Sequence, residues 1–192
     1  TIADSAFSQC KKITQVTFGK NVTFIGNSAF YNNKALTEVD LSKCTGLTTI
    51  GSDAFEYNYA LTTLTLPDSL QTIGYQAFYN CGNLTALEIG SNLTLIDEYA
   101  FQNCDSLKTV NIKGGNNATI DYDAFNSCNS LESVTIGDGV KTIGSYAFQY
   151  CDKLKEVTIG NTVTSIGAEC FEKCYSLKKV VFSSKLKKIP YR

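Results

Sequence analysis

Histidine does not occur in this chain of 192 residues. The commonest general base is therefore missing, and neither a Ser-His nor a Cys-His nucleophile pair can be assembled within it. Imidazole ligation of a metal is excluded as well. The eight cysteines form no C-x-x-C, and only Cys170 and Cys174 stand near each other in sequence. Carboxylates are scattered singly, as at Glu38, Asp40, Glu88 and Glu156, on positions that read as solvent-facing, which suits the solubility of an exposed sheet. No phosphate-cradling loop is present: Gly114-Gly115 lacks the Lys and Ser or Thr that would follow it, and Gly137-Asp138-Gly139 reads as a turn. The expectation is no enzyme, no cofactor and no metal. No run of about 18 apolar residues exists to insert into a membrane. The net charge of -1 lacks the cationic stripe of a nucleic-acid partner, although Lys178, Lys179, Lys185, Lys187, Lys188 and Arg192 make the end locally basic. No targeting signal can be read at the start.

What the chain does have is a repeat. A small residue followed by Phe recurs at Phe7, Phe30, Phe55, Phe78, Phe101, Phe125, Phe148 and Phe171, spaced by 23 residues with additions of one or two. Six residues after each stands Ile13, Leu36, Leu61, Leu84, Leu107, Leu131, Leu154 or Leu177, and nine after it Val16, Val39, Leu64, Leu87, Val110, Val134, Val157 or Val180. A third apolar column, from Phe18 to Phe182, follows two residues later, giving the V-x-I alternation of a half-buried strand. A fourth, five residues before the Phe, runs Ile25, Ile50, Ile73, Ile96, Ile120, Ile143 and Ile166, with Ile2 and Ile189 at the ends. Gly26, Gly51, Gly74, Gly144 or Gly167 comes next, a residue that tolerates positive φ and so suits a bend; Asp97 and Asp121 replace it in two repeats.

No single repeat can bury four apolar columns alone, so neighbours must stack and share one core. The fold expected is a leucine-rich-repeat solenoid: a right-handed coil of about eight 23-residue repeats, with a parallel β-sheet on one face and little regular helix. Both ends cut the repeat at nearly the same place and no polar cap is visible. Residues 1–192 therefore read as a single domain that is a fragment of a longer array.

The pattern A-F-x-x-C-x-x-L-x-x-V-x-I followed by V-x-x-I-G, as in Ala147-Phe148 to Ile159 and Val163 to Gly167, resembles the BspA-like leucine-rich repeat family over the whole chain. The resemblance implies a secreted or cell-surface protein of the adhesin type, with an extracellular protein or glycan as partner. One departure concerns the place after the strand, where other leucine-rich classes carry a ladder of Asn or Cys. Here it holds Asn21, Cys44, Ser69, Asn92, Gly115, Gly139, Thr162 and Lys185, so no ladder is expected there. Three residues after each Phe stand instead Cys10, Asn33, Asn58, Cys81, Cys104, Cys128, Cys151 and Cys174. Stacked on successive rungs, their Cβ atoms would lie near 5 Å apart, beyond the 3.5–4.5 Å that a disulfide needs. An inward ladder of free thiols follows, bonding backbone groups of the next turn, with Cys44 outside it as the reactive thiol.

Two surfaces are candidates for binding. The solvent-facing strand positions are rich in Thr and other polar residues, among them Thr63, Thr65, Glu88 and Asn111. Such a face also serves plain cross-strand pairing, and at about 500 Å² it falls below the ~800 Å² per partner of a standard interface. The second surface is the tyrosine set beside the Ala-Phe segments, where Tyr31, Tyr57, Tyr59 and Tyr79 should lie within a few rungs of one another. The function expected is a surface or secreted binding module, acting as a monomer through an extended solenoid face. The alternative is a structural stalk or spacer that presents another domain.

Overall fold

The computed structural model describes residues 1–186; Lys187, Lys188, Ile189 and Arg192, named above, lie outside the described residues. Each V-x-I triplet is a short strand, since β-branched residues at alternate positions favour extended backbone and bury one side. These strands are β1 (Gln15–Thr17), β3 (Glu38–Asp40), β5 (Thr63–Thr65), β7 (Ala86–Ile89), β9 (Thr109–Ile112), β11 (Ser133–Ile136), β13 (Glu156–Ile159) and β15 (Lys179–Val181). They pair in parallel with the columns in register, Val39 opposite Leu64 and Val110 opposite Val134. The ladder is interrupted once: β5 and β7 do not pair, which leaves a sheet of β1-β3-β5 and another of β7 through β15.

A second parallel ladder lies where only an apolar column was read. Its strands are β2 (Phe24–Ile25), β4 (Thr49–Ile50), β6 (Thr72–Ile73), β8 (Leu95–Ile96), β10 (Ala118–Ile120), β12 (Val140–Ile143) and β14 (Ser165–Ile166), paired in sequence order. Ile2 extends it by a bridge to Ile25. Among the described residues there is no helix, and none long and apolar enough to cross a membrane. The molecule is a parallel β-solenoid in which each coil, or rung, bonds to its neighbours.

Between the two ladders the Ala-Phe segment closes the coil. In the third rung Asp53, Phe55 and Tyr57 donate their N–H groups to the carbonyls of Tyr75, Ala77 and Tyr79 at 2.8, 2.7 and 2.9 Å, and other rungs repeat this triple bond. The segment is bounded by two left-handed residues, here Asp53 (φ 56°) and Tyr57 (φ 59°), and in the first rung Ser5 and Gln9. Positive φ was expected at the preceding glycine, and that expectation is corrected. Among glycines only Gly114 has it, and Asp97 and Asp121 instead accept the N–H of the next residue. The glycines serve close stacking: a Cβ on Gly74 would lie 2.9 Å from the backbone of Gly51 and Ser52, and one on Gly167 only 2.1 Å from Ser145 N.

The core is a continuous stack. Phe30, Phe55, Phe78, Phe101, Phe125 and Phe148 are wholly buried, with successive ring centroids 5.1–5.2 Å apart and planes within 5°. All eight cysteines are free thiols. Cys81, Cys104, Cys128, Cys151 and Cys174 donate to the Phe carbonyl of the preceding rung at 3.2–3.4 Å, so the inward ladder bonds backward and not to the next turn. Burial pushes the Cys81, Cys104, Cys128 and Cys151 thiols up, Cys128 to about 12, whereas a hydrogen bond from Cys151 holds Cys174 below the ordinary thiol value. Cys44 is corrected: the inserted residues fold inward, its side chain is fully buried and bonds Gly19 O at 3.6 Å, and burial raises its pKa. Cys10, on the first rung, is the partly exposed thiol. The position after the strand also carries a ladder, contrary to expectation, for Cys44, Ser69, Asn92 and Thr162 each bond backbone oxygens of the preceding rung.

Candidate binding surface

Side chains adjoining each buried Phe are fixed by the same triple of backbone bonds, so residues close in repeat position come together across rungs. Tyr31 follows Phe30 directly, Tyr79 follows Phe78 directly, and Tyr57 stands two residues after Phe55. The structure brings them together. The Tyr57 ring meets Tyr31 and Tyr79 edge-on at 5.8 and 5.7 Å, and Tyr59 at 5.8 Å, arrangements that aromatic quadrupoles favour. Tyr59 is 41 % exposed, and the Lys34 ammonium lies 5.6 Å from its ring centroid.

Within this cluster sits a carboxyl that was not singled out in sequence. Glu56, at the position of Tyr31 and Tyr79 in its own rung, is only 7 % exposed. Burial above all, and then the neighbouring Asp53 charge, pushes it up to about 7, opposed by a hydrogen bond from Tyr57. Burial raises Asp53 too. The Tyr31 and Tyr57 phenols are raised by burial first and by Glu56 second.

Further along, the same ridge changes character. Tyr75, Tyr99, Tyr122 and Tyr146 form a second edge-to-face row on the other flank of the Ala-Phe segment, with centroids 5.3–5.7 Å apart. On the flank that carried Tyr31 and Tyr79 stand amides: Asn126 donates to Asp123 at 2.6 Å and to Gln149 at 3.0 Å, and Gln149 donates to Glu172. This row is closed on itself.

Thr63, Thr65, Glu88 and Asn111 lie in the strand ladder and not among the tyrosines. Thr63, Thr65 and Glu88 line a shallow cleft of about 260 Å³ where β5 and β7 fail to pair. Asn111 is in register with Glu88 and donates to its carboxylate at 2.8 Å. The eight residues thus form two groups on different parts of the coil.

Charge is segregated along the axis, a signal that was in plain view in the sequence. Between Lys43 and Lys108 stand seven carboxylates, Asp53, Glu56, Asp68, Glu88, Asp97, Glu98 and Asp105, and no Lys or Arg. A chain of net charge -1 therefore holds a stretch of formal charge -7, and the rest is +6. Counting charge over the whole chain conceals this. Among the described residues the salt bridge formed, Lys155 to Glu132 at 2.6 Å, lies outside that stretch, and no three metal-capable side chains converge.

Comparison with known proteins agrees with the coil. The profile of the BspA type leucine rich repeat region, in six copies, matches residues 1–128 and 99–192. The leucine-rich repeat protein of T. pallidum is similar at 29 % identity with a TM-score of 0.69, over 82 % of this chain and 72 % of that one. A leucine rich cell surface protein from Faecalibacterium prausnitzii is similar in fold at 23 % identity with a TM-score of 0.66, over 98 % of this chain and 66 % of that one. No curated protein matches.

Proposed function

The chain belongs to the BspA-type leucine-rich repeat family, and from that premise we propose that it is a cell-surface or secreted adhesion module, monomeric, that recognises an extracellular protein or glycan through its solenoid surface. The observation that carries this reading is the ring cluster of Tyr31, Tyr57, Tyr59 and Tyr79. Tyrosine is a preferred interface anchor, because it offers a large amphipathic area with little side-chain entropy to lose. Here the backbone bearing it is held by bonds between rungs, so ordering it on binding costs little. The strand face, with Thr63, Thr65, Glu88 and Asn111, is the secondary surface. Its cleft is too small to bury a partner alone and suits a supporting contact.

The test is binding of the purified chain to immobilised matrix proteins and glycans. We expect saturable binding to at least one of them, lost when Tyr57, Tyr59 and Tyr79 are together replaced by Ser. Unaltered affinity of that triple variant would remove the tyrosine surface. Silence across the array from a folded chain would favour a spacer that holds another domain at a distance.

A further inference from the structure

Asp53, Glu56 and three of the four clustered tyrosines, Tyr57, Tyr59 and Tyr79, lie in the longest stretch of the chain without a cation, and this points to the chemistry of what the cluster binds. We propose that the ridge of Tyr31, Tyr57 and Tyr79 over Asp53 and Glu56 recognises a lysine- or arginine-bearing segment of a polypeptide, its cationic head seated among the rings and against the two carboxyls. The inference rests on the reading that this ridge is a binding surface, and adds to it the class of partner.

Three observations converge on a cation. Asp53 and Glu56 occupy one rung, three residues apart, and no Lys or Arg stands between Lys43 and Lys108 to neutralise them. The Tyr57 hydroxyl beside Glu56 favours its ionised form without supplying a positive charge. The fold thus leaves two neighbouring carboxyls for which an external cation is the complement. Next, the rings meet edge to face, an arrangement in which electron-rich faces remain available to attract a cation. Finally, the rim already accepts one, since Lys34 lies over the Tyr59 ring. An anionic glycan, nucleic acid or lipid surface would meet the -7 stretch and be repelled. A neutral sugar could stack on the rings and would leave the carboxyls uncompensated.

The pH response follows from what surrounds Glu56. Asp53 and Tyr57 face it from its own rung, Tyr31 from the rung before and Cys81 from the rung after. The phenols and the thiol are all raised and stay neutral near pH 8. The carboxyls therefore set the response, and a cation is held more tightly when both are ionised.

The experiment measures fluorescence anisotropy of a labelled peptide alternating Lys and Gly, against the same peptide with every lysine acetylated. It is run at about pH 6 and about pH 8 and at two salt concentrations either side of about 0.1 M. We expect the charged peptide to bind and the acetylated one to fail. Affinity should rise several-fold from the lower to the higher pH and fall with salt. The double variant Asp53→Asn, Glu56→Gln should weaken binding about ten-fold or more, while Asp138→Asn with Asp152→Asn, in the later rungs, should leave it unchanged. Glu56→Gln is isosteric with the protonated carboxyl, so the fold is retained, and circular dichroism checks this. Equal binding of both peptides, no binding of either, or indifference to the carboxyl variant would overturn the proposal. If matrix binding is lost in the tyrosine triple variant yet unaffected by the carboxyl variant, the ridge binds but not through a cation. If neither variant matters, the ridge itself is not the surface.

Discussion

Rungs built on Phe30, Phe55 and Phe78 and those built on Phe125, Phe148 and Phe171 share one backbone and one core, yet they treat their polar side chains in opposite ways. In the later rungs the residues following Phe are Asn126, Gln149 and Glu172, and each amide bonds the next along the axis. In the earlier ones that place is Tyr31, Glu56 and Tyr79, and the carboxyl in the middle bonds Tyr57. The column three residues after Phe differs in the same sense. Asn58 donates to Phe30 O at 2.9 Å, but the Oδ1 atoms of Asn33 and Asn58 accept no bond among the described residues, whereas a thiol at that place needs only to donate. The scaffold tolerates both arrangements because backbone bonds and Phe stacking carry the fold. The unpaired Asn oxygens are buried beyond a partner's reach; what the early rungs offer is the tyrosine rings and the carboxyls beside them.

The comparison breaks first if the two regions do not share a core equally. Phe78→Ala and Phe125→Ala should each cost about 3–5 kcal/mol in urea unfolding, and a clear inequality between them would show that one half carries the stability. A smaller effect tests the stacking distance. Gly167→Ala places a Cβ against the backbone of Ser145 and should cost about 1–3 kcal/mol, while Gly82→Ala, with nothing within 4 Å, should stay within about 0.5 kcal/mol. The finest test concerns Glu56. Its pKa of about 7 stands above the ordinary 4.5, so the bound proton stabilises the folded chain fully below about pH 4.5, and that contribution is lost as pH rises through about 7. Glu56→Gln should remove this slope, making the variant more stable than the parent by about 1–2 kcal/mol near pH 8 and equal to it near pH 4. A parent whose stability is flat from pH 5 to pH 8 would show Glu56 to be open to solvent.

Much of the coil was legible because its columns are long and regular. The Phe, Leu and V-x-I positions recur at a fixed interval and only a stack buries them. The ladder at Ile25 to Ile166 was legible as a column and not as strands, since two residues carry no alternation to read. The left-handed positions are not legible because their residue types vary: Ser28, Gln76, Tyr99 and Tyr146 are held there by bonds to the next rung and not by intrinsic preference. Cys44 was misplaced because an insertion usually lies outside, and this one turns its side chain onto Gly19 O. Of the binding surface, the meeting of Tyr31, Tyr57, Tyr59 and Tyr79 could be anticipated from repeat position. The role of Glu56 could not, because a glutamate in a polar repeat position looks solvated until its neighbours are known.

The near-constant spacing of the phenylalanine rings has a genetic corollary. Because a rung meets its neighbours through the same ring, the same carbonyls and the same strand pairs on either side, an in-frame duplication or loss of 23 codons changes the length of the molecule by one step of about 5 Å and leaves the joints intact. A change of whole rungs therefore alters the reach of the molecule without disturbing its stacked core.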